Sequence, residues 1–569
     1  MRILFITTAH NSLSQRLAVE LTRRGHTLAL SVGTTPEGML TDVERSHPDL
    51  IIAPMLKTAI PEQIYRRHLC LIVHPGIKGD RGPSSLDWAI SLGEQRWGVT
   101  VLQAEAEMDA GPIWAAETFA MPDQPATKSS LYRAEVTEAA VKAVLLAVAR
   151  VACGEFIPES LDYRRSDVQG QLRPSVRQAN RAIDWDTHTT DEIARRVRAA
   201  DSSPGVLTTL MGQPVFAYGA HAEDRLRGPA GRVIAQRHGA VCVGTVDGAI
   251  WLTHLKAKAS DHRYAGIKLP AAQVLQPLLH RVPHIDVEID SPADYRTYRD
   301  IQYWERGAVG YLSFDFYNGA MSTQQCRRLV SALRHARSRP TQVICLLGGR
   351  DFWSNGIHLN VIEAADDPAM ESWRNINAID DMVLQILTAR QLVVAGMRGN
   401  AGAGGVMLAL AADQVYARRG VVLNPHYRTM GNLYGSEYWT YTLPRRVGEA
   451  RAYEITTACE PMGTDEACDI GLLDGAFGAG VETFEAQLDT YLDRLVAGGG
   501  LAEMVRAKSQ RRREEERANP LASYRARELA HMADNFFGPD PSYHLARRRF
   551  VRQLPSSVRA AANIAALAA

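Results

Sequence analysis

A histidine closing an apolar run and a carboxylate in a glycine-bounded loop are the first residues able to do chemistry. In LIVHPGIKGDRGPSSLDWAI, His74 ends a β-like stretch just before a Gly-rich loop, and in GVTVLQAEAEMDAGPIWA, Asp109 precedes Gly111. An imidazole and a carboxylate within reach of each other can polarise a carbonyl and move a proton during acyl transfer. Taken singly, His74 serves equally well as a strand cap and Asp109 as the start of a turn. A second set lies further on, where CLLGGRDFWSNGIHLN and LVVAGMRGNAGAGGVMLALAAD place glycines in turns, the latter ahead of an apolar helix. Glycine lets backbone N–H groups approach a ligand oxygen closely, although most such turns only pack a helix on a sheet. Downstream, NPHYRTMGNLYGSEYW supplies Tyr427 and Glu437, a phenol and a carboxyl suited to acid and base roles. Their plain alternative is a buried tyrosine hydroxyl and a surface glutamate.

These residues need elements to hold them. RILFIT at 2–7, an amphipathic segment Leu13 to Arg24, and the β-like runs LALSVG, LIIAP and LCLIVHP predict a parallel α/β sheet. Ligands collect at the carboxyl ends of such strands, where helix N-termini also attract anions, so His10 to Gln15 and the segment after Val73 are the natural site loops. From about Gln171 the chain is more polar; WDTHTTDEIARRVRAAD reads as a capped helix, and PVFAYGA, GRVIAQ, AVCVGT and AIWLTHL as short strands of a small β-rich domain. A Pro- and Asp-containing stretch, His280 to Tyr295, precedes a fresh βα pattern at AVGYLSFDFYNGAMS. The expected domains are 1–170, 171–285 and 286–569, an α/β multidomain chain with a helical C-terminus.

Composition narrows the class. With 569 residues, and 64 Lys plus Arg against 63 Asp plus Glu for a net charge of +1, no global field favours nucleic acid or an anionic membrane. The seven cysteines are scattered, without zinc or dithiol spacing, so no metal site is expected. The start lacks a secretory h-region, and the longest apolar tract, around 139–152, is interrupted by Lys142 and Arg150. It falls short of the ~20 residues a span needs, so a cytoplasmic location and no membrane contact are expected. RRREEER at 511–517 reads as a solvated helix with ion pairs at helical spacing.

The segments around His74 and Asp109, with DWAI and GVTV between them, resemble the active site of 10-formyltetrahydrofolate-dependent formyltransferases such as methionyl-tRNA formyltransferase. The likeness covers roughly residues 1–150 and continues from RAIDW to about 275 as that family's C-terminal barrel. It implies that His74 and Asp109 are catalytic and that the donor is 10-formyltetrahydrofolate. Ile72 departs from the pattern, standing where the family has the asparagine that would hold the formyl oxygen. The later glycine turns, over about 305–480, resemble the crotonase (enoyl-CoA hydratase/isomerase) superfamily and imply a spiral α/β domain binding an acyl-CoA. By that match the oxyanion donors are the N–H groups of Ile357 and Gly404, and Asn318 in FYNGAMST lies where coenzyme A approaches. The hydratase glutamates are absent, since Met407 and His426 occupy their places.

The two halves in this order resemble the HypX (HoxX) family of hydrogenase maturation factors. That resemblance implies a formyltransferase coupled to a formyl-CoA decarbonylase, making carbon monoxide for the iron of nickel–iron hydrogenase. Glu437 and Tyr427 would then remove the formyl proton and protonate the sulfur, respectively. Gln15, Arg133, Ser202 and Arg547 are expected contacts for coenzyme A, and the hydrogenase large-subunit precursor or its maturation proteins are the expected partners. Two other readings stay open: formyl transfer to an amine beside an unrelated acyl-CoA hydrolase or isomerase, and a non-catalytic scaffold that delivers a ligand.

Overall fold

Residues Ile3 to Ile6 are buried on both faces of their strand, which is what a covered parallel sheet demands. In the computed structural model, which describes residues 1–33 and 35–554, β1 (Arg2–Thr7) lies between β2 (Thr27–Val32) and β3 (Leu50–Ala53), and β4 (Cys70–His74) follows, all parallel. Beyond them β5 (Arg96–Gln103) and β6 (Ile113–Ala120) run antiparallel, so the expected parallel sheet is a mixed one. The connection from β4 to β5 holds a Gly-rich loop and one short helix, Ser85–Leu92, and does not recross the sheet. His74 therefore ends β4 directly opposite Thr100 of β5.

The helix Ser12–Thr22 starts where the Asn11 side chain accepts the Ser14 N–H at 3.0 Å, and it buries Leu13, Leu17 and Leu21. The long apolar tract folds as the helix Thr137–Cys153, stopped by Gly154 at φ 75°, with Val141, Val144 and Val148 in the same core as Leu71, Val73 and Val101. Among the described residues no helix is long and apolar enough to cross a membrane.

The chain divides into two compact units, the first taking residues 1–208 and 216–220 and the second 209–215 and everything described from His221 onward. The β-rich segment is shared between them. Its strands stand in the order Val206–Leu210, Gln213–Glu223, Ala249–Ala257, Ala240–Gly244, Val233–Arg237, with Lys268–Pro270 beside Ala249–Ala257.

In the second unit the main sheet runs Ile301–Arg306, Val309–Phe314, Val343–Leu347, Leu392–Met397, Gln414–Arg418, Gly475–Phe477, parallel after its first pair. Three of these strands are each followed by a short strand, Phe352–Ser354, Asn400–Gly402 or Val422–Asn424, which pair in a separate small sheet. Each circuit of the chain thus adds one rung to both sheets, a spiral that stacks the successive Gly-rich turns. The helices Thr323–Ser338 and Pro368–Leu387 cover the main sheet, sharing a core through Leu329, Leu333, Ile379 and Val383.

Candidate functional site

In the first unit His74 is held between two carboxylates. Its Nε2 lies 2.9 Å from Asp80 Oδ2, and its Nδ1 lies 3.7 Å from Asp109 Oδ2. The loop carrying Asp109 is tied to the Gly-rich loop through Arg81, whose Nε donates to Met108 O at 3.1 Å, and through Gly82 N–H, which donates to Asp109 Oδ2 at 3.1 Å. Glycine is needed at two places here: a Cβ on Gly76 would stand 2.5 Å from His74 Nε2, and one on Gly111 would stand 2.0 Å from Gln103 O. Asp80 is a functional candidate that the sequence reading missed, although GIKGDRG displays it. Its Oδ1 and Arg173 Nη1, 3.7 Å apart and both buried, have no hydrogen-bond partner among the described residues. The pair contains polar atoms that a ligand or water can satisfy. Ile72 shares the His74 face of β4 and packs beside Ile6, Ile51 and Ala53, an apolar wall where an amide would otherwise project.

Beside this sheet the His10–Gln15 loop meets a π-helical turn, Tyr132–Val136. Asn11 Nδ2 donates to Tyr132 Oη at 3.4 Å, Gln15 Nε2 donates to His10 O at 3.0 Å, and Arg133 is the next residue of the turn. Burial lowers His10 to about 4 and raises Tyr132 to about 12, so both are neutral near pH 7. Ser202 lies in the turn after the helix Thr190–Ala199, next to Ser203, whose carbonyl accepts from Lys128 Nζ at 2.7 Å.

In the second unit the structure brings Ile357, Gly404, Glu437 and Tyr427 together. Gly404 opens the helix Gly404–Leu410 with no side-chain cap before it, so its N–H belongs to the donors that helix bonds leave unsatisfied. A Cβ on Gly356, just before Ile357, would stand 3.4 Å from Gly404 N, and one on Gly404 would stand 2.1 Å from Glu437 Oε1. Glu437 is only 3% exposed, so the alternative of a surface glutamate is ruled out. Burial, with the charge of Asp380 second, pushes its carboxyl up to about 8. Tyr427 lies against Gly435, its buried Oη has no hydrogen-bond partner among the described residues, and burial beside Glu437 holds it well above the usual phenol range. Met407 is sealed in the core, and His426 Nδ1 bonds Asn424 O at 2.8 Å.

Two further proposed contacts fall in this unit. Asn318 sits at φ 56° in a short turn whose carbonyl accepts from Asn355 Nδ2 at 2.7 Å. Arg547 is buried on the helix Ser542–Arg552, with Nε donating to Glu363 at 3.0 Å and Nη1 2.9 Å from His544 Nδ1. A carboxylate thus holds the guanidinium in the place expected for a phosphate. Among the described residues no group of three or more His, Cys, Asp or Glu side chains is placed to hold a metal ion.

Comparisons with known proteins follow the same division. The formyl transferase family model matches residues 6–148, the formyl transferase C-terminal domain matches 175–264, and the enoyl-CoA hydratase/isomerase family matches 308–534. The chain is 47% identical to hydrogenase maturation factor HoxX of Bradyrhizobium diazoefficiens, over 98% of this chain and 96% of that one. It is 27% identical to methionyl-tRNA formyltransferase of Pseudoalteromonas translucida over 39% of its length and 68% of the relative's. Among solved structures it is similar to HypX of Aquifex aeolicus in complex with tetrahydrofolic acid, with a TM-score of 0.94 and 45% identity, covering 98% of this chain and 97% of that one.

Proposed function

The chain belongs to the HypX/HoxX family of hydrogenase maturation factors, and from that premise we propose that it makes carbon monoxide in two steps, by formyl transfer to coenzyme A and then decarbonylation of formyl-CoA. The observation that carries this reading is the buried Glu437 carboxyl against Gly404, in a crotonase-like site that lacks both hydratase glutamates. The tetrahydrofolate complex of the Aquifex aeolicus relative supports a folate donor.

In the first step His74 stabilises the oxyanion that forms when the thiol of coenzyme A attacks the folate formyl carbon. Asp80 accepts from Nε2–H, so the ring donates to the substrate oxygen from Nδ1 when both nitrogens carry protons, and Asp109, beyond hydrogen-bond length from Nδ1, leaves room there for that oxygen. The carbon–nitrogen bond then breaks with its electron pair on nitrogen, which takes the proton that the thiol gave up. Ile72 suits a thiol, which needs less hydrogen bonding than an amine. Gln15, Arg133 and Ser202 would bind polar parts of the coenzyme in this unit, and Asn318 and Arg547 in the other.

In the second step the N–H groups of Ile357 and Gly404 polarise the thioester carbonyl while ionised Glu437 takes the formyl proton. The C–H electron pair stays on carbon, the C–S bond breaks with its pair on sulfur, and Tyr427 protonates the sulfur. Glu437 returns its proton to Tyr427, so formyl-CoA yields carbon monoxide and free coenzyme A in balance. Carrying both sites on one chain raises the effective concentration of the shared thioester. Cargo for a hydrogenase precursor in the cytoplasm is the role this product would have.

The test supplies purified protein with carbon-labelled 10-formyltetrahydrofolate and coenzyme A and follows labelled carbon monoxide with a haem probe. Labelled gas that depends on both substrates is expected. Labelled formate or a formylated amine without the gas sinks the proposal.

A further inference from the structure

Glu437 and Tyr438 are consecutive non-glycine residues in the left-handed region, at φ 63° and 57°. Such a backbone persists only where its surroundings hold it. Here two buried carboxylates from separate helices do so. Asp380, on Pro368–Leu387, accepts the Glu437 N–H at 3.0 Å and the Ser436 hydroxyl at 2.9 Å. Glu528, on Leu521–Phe537, accepts the Tyr438 N–H and the Thr440 N–H at 2.9 Å each, and also the Thr440 hydroxyl. The Glu437 side chain closes the turn by accepting the Ser436 N–H at 3.1 Å.

We infer that Asp380 and Glu528 are positioning residues for Glu437: they clamp the left-handed turn that sets its carboxyl against Gly404, and their charge sets the pH range in which it ionises. The inference rests on the acid–base reading of Glu437 above. Both carboxylates interrupt the apolar faces of their helices, Asp380 among Ile376, Ile379 and Val383, and Glu528 between Leu521 and Met532. Burying a carboxylate there is costly unless the site needs it.

The charges facing Glu437 are unbalanced. Asp380 and Glu528 stand on the two helices, Cys326 on the helix Thr323–Ser338, and Tyr427 on the neighbouring turn, where Arg428 interacts with Tyr427. The nearby cation on the helix side is Arg525, whose Nε is 3.6 Å from Asp380 Oδ2, while its Nη1 is spent on the exposed Asp381 at 2.7 Å. It also interacts with Tyr438. Burial, offset for Asp380 chiefly by Arg525 and for Glu528 chiefly by its Thr440 bonds, raises both carboxyls to about 7. Three carboxyls with one shared cation ionise in sequence, so Glu437 loses its proton against two like charges.

The experiment gives formyl-CoA directly to the full-length protein and measures the rate of carbon monoxide release from pH 5.5 to 9.5 for the parent, Asp380→Asn, Glu528→Gln, Asp380→Ala and Glu437→Gln. Asp380→Asn keeps an acceptor oxygen for the Glu437 N–H and removes a charge, while Glu528→Gln removes a charge and keeps an acceptor for one of the two backbone N–H groups that its carboxylate holds. Each is expected to move the rising limb of the profile down by roughly one pH unit, and Asp380→Ala, which leaves the Glu437 N–H without an acceptor, to lose release at every pH. Formyl transfer to coenzyme A, unchanged in each variant, reports that the first unit is folded, and a cooperative thermal melt reports the second. Profiles of both amide variants that coincide with the parent, with Glu437→Gln inactive, overturn the inference and leave the function standing. Full release by Glu437→Gln removes the acid–base reading of Glu437 and the inference with it.

Discussion

The two sites place acid–base groups in opposite ways. In the first unit, carboxylates flank a basic ring: His74 stands between Asp80 and Asp109, with Arg173 and Arg81 behind them. In the second, Asp380, Glu437 and Glu528 crowd together with the cation Arg525 at one edge. A ring anchored on one side by a carboxylate suits orienting a donor to an oxyanion. Crowded carboxyls hold protons near neutrality, which suits taking one from carbon and returning it to sulfur. On the proposed reading, one chain builds a stabilising site and a proton-moving site from the same residue types, and the difference lies in whether cations accompany the carboxylates.

The sharpest way to break that contrast is to remove each centre and supply each substrate separately. Glu437→Gln should lower carbon monoxide release from formyl-CoA by about 10³-fold or more, in the range lost with a general acid–base group, while formyl transfer stays at the parent rate by chromatography of formyl-CoA. Replacing His74 by Ala should do the reverse: formyl transfer falls on the order of 10²-fold, and gas release from added formyl-CoA is retained.

A smaller effect separates the sites by pH. Release from formyl-CoA should rise with pH, pass half its maximum near 8, where Glu437 ionises, and level off above it, whereas the formyl-transfer profile should carry no such limb. Coincident profiles would mean that the crowded carboxyls take no part in the rate. The smallest expected effect is on stability. A carboxyl raised from 4.5 to about 8 by burial contributes stability that is fully present below about pH 4.5 and lost as pH rises to about 8. Glu437→Gln lacks this loss, so by calorimetry its Tm relative to the parent should climb from pH 5 to pH 8; a difference that stays flat would show that Glu437 ionises as easily as in the unfolded chain.

Much of this was legible before any coordinates. LIVHPG placed His74 at a strand end because an apolar run followed by Pro and Gly has little choice but to stop there, and β4 ends at that residue. The Gly-rich turns announced close backbone approaches, and Gly404 and Gly405 prove crowded by Glu437 and Ser354. Asp380 and Glu528 also left a trace, since an acid in a helix's apolar stripe breaks the 3.6-residue pattern. That trace marks a buried charge without naming what it faces.

Residue type and local spacing therefore determined the strand and turn that carry each candidate, and the family. Only the tertiary structure decided which carboxylates meet which bases. Asp80 reaches His74 across a loop six residues on, Asp380 and Glu528 reach Glu437 from 57 and 91 positions away, and Arg547 turns to Glu363. The proton affinity of a buried group depends on desolvation and on charges within a few ångströms, and the packing of distant helices sets both.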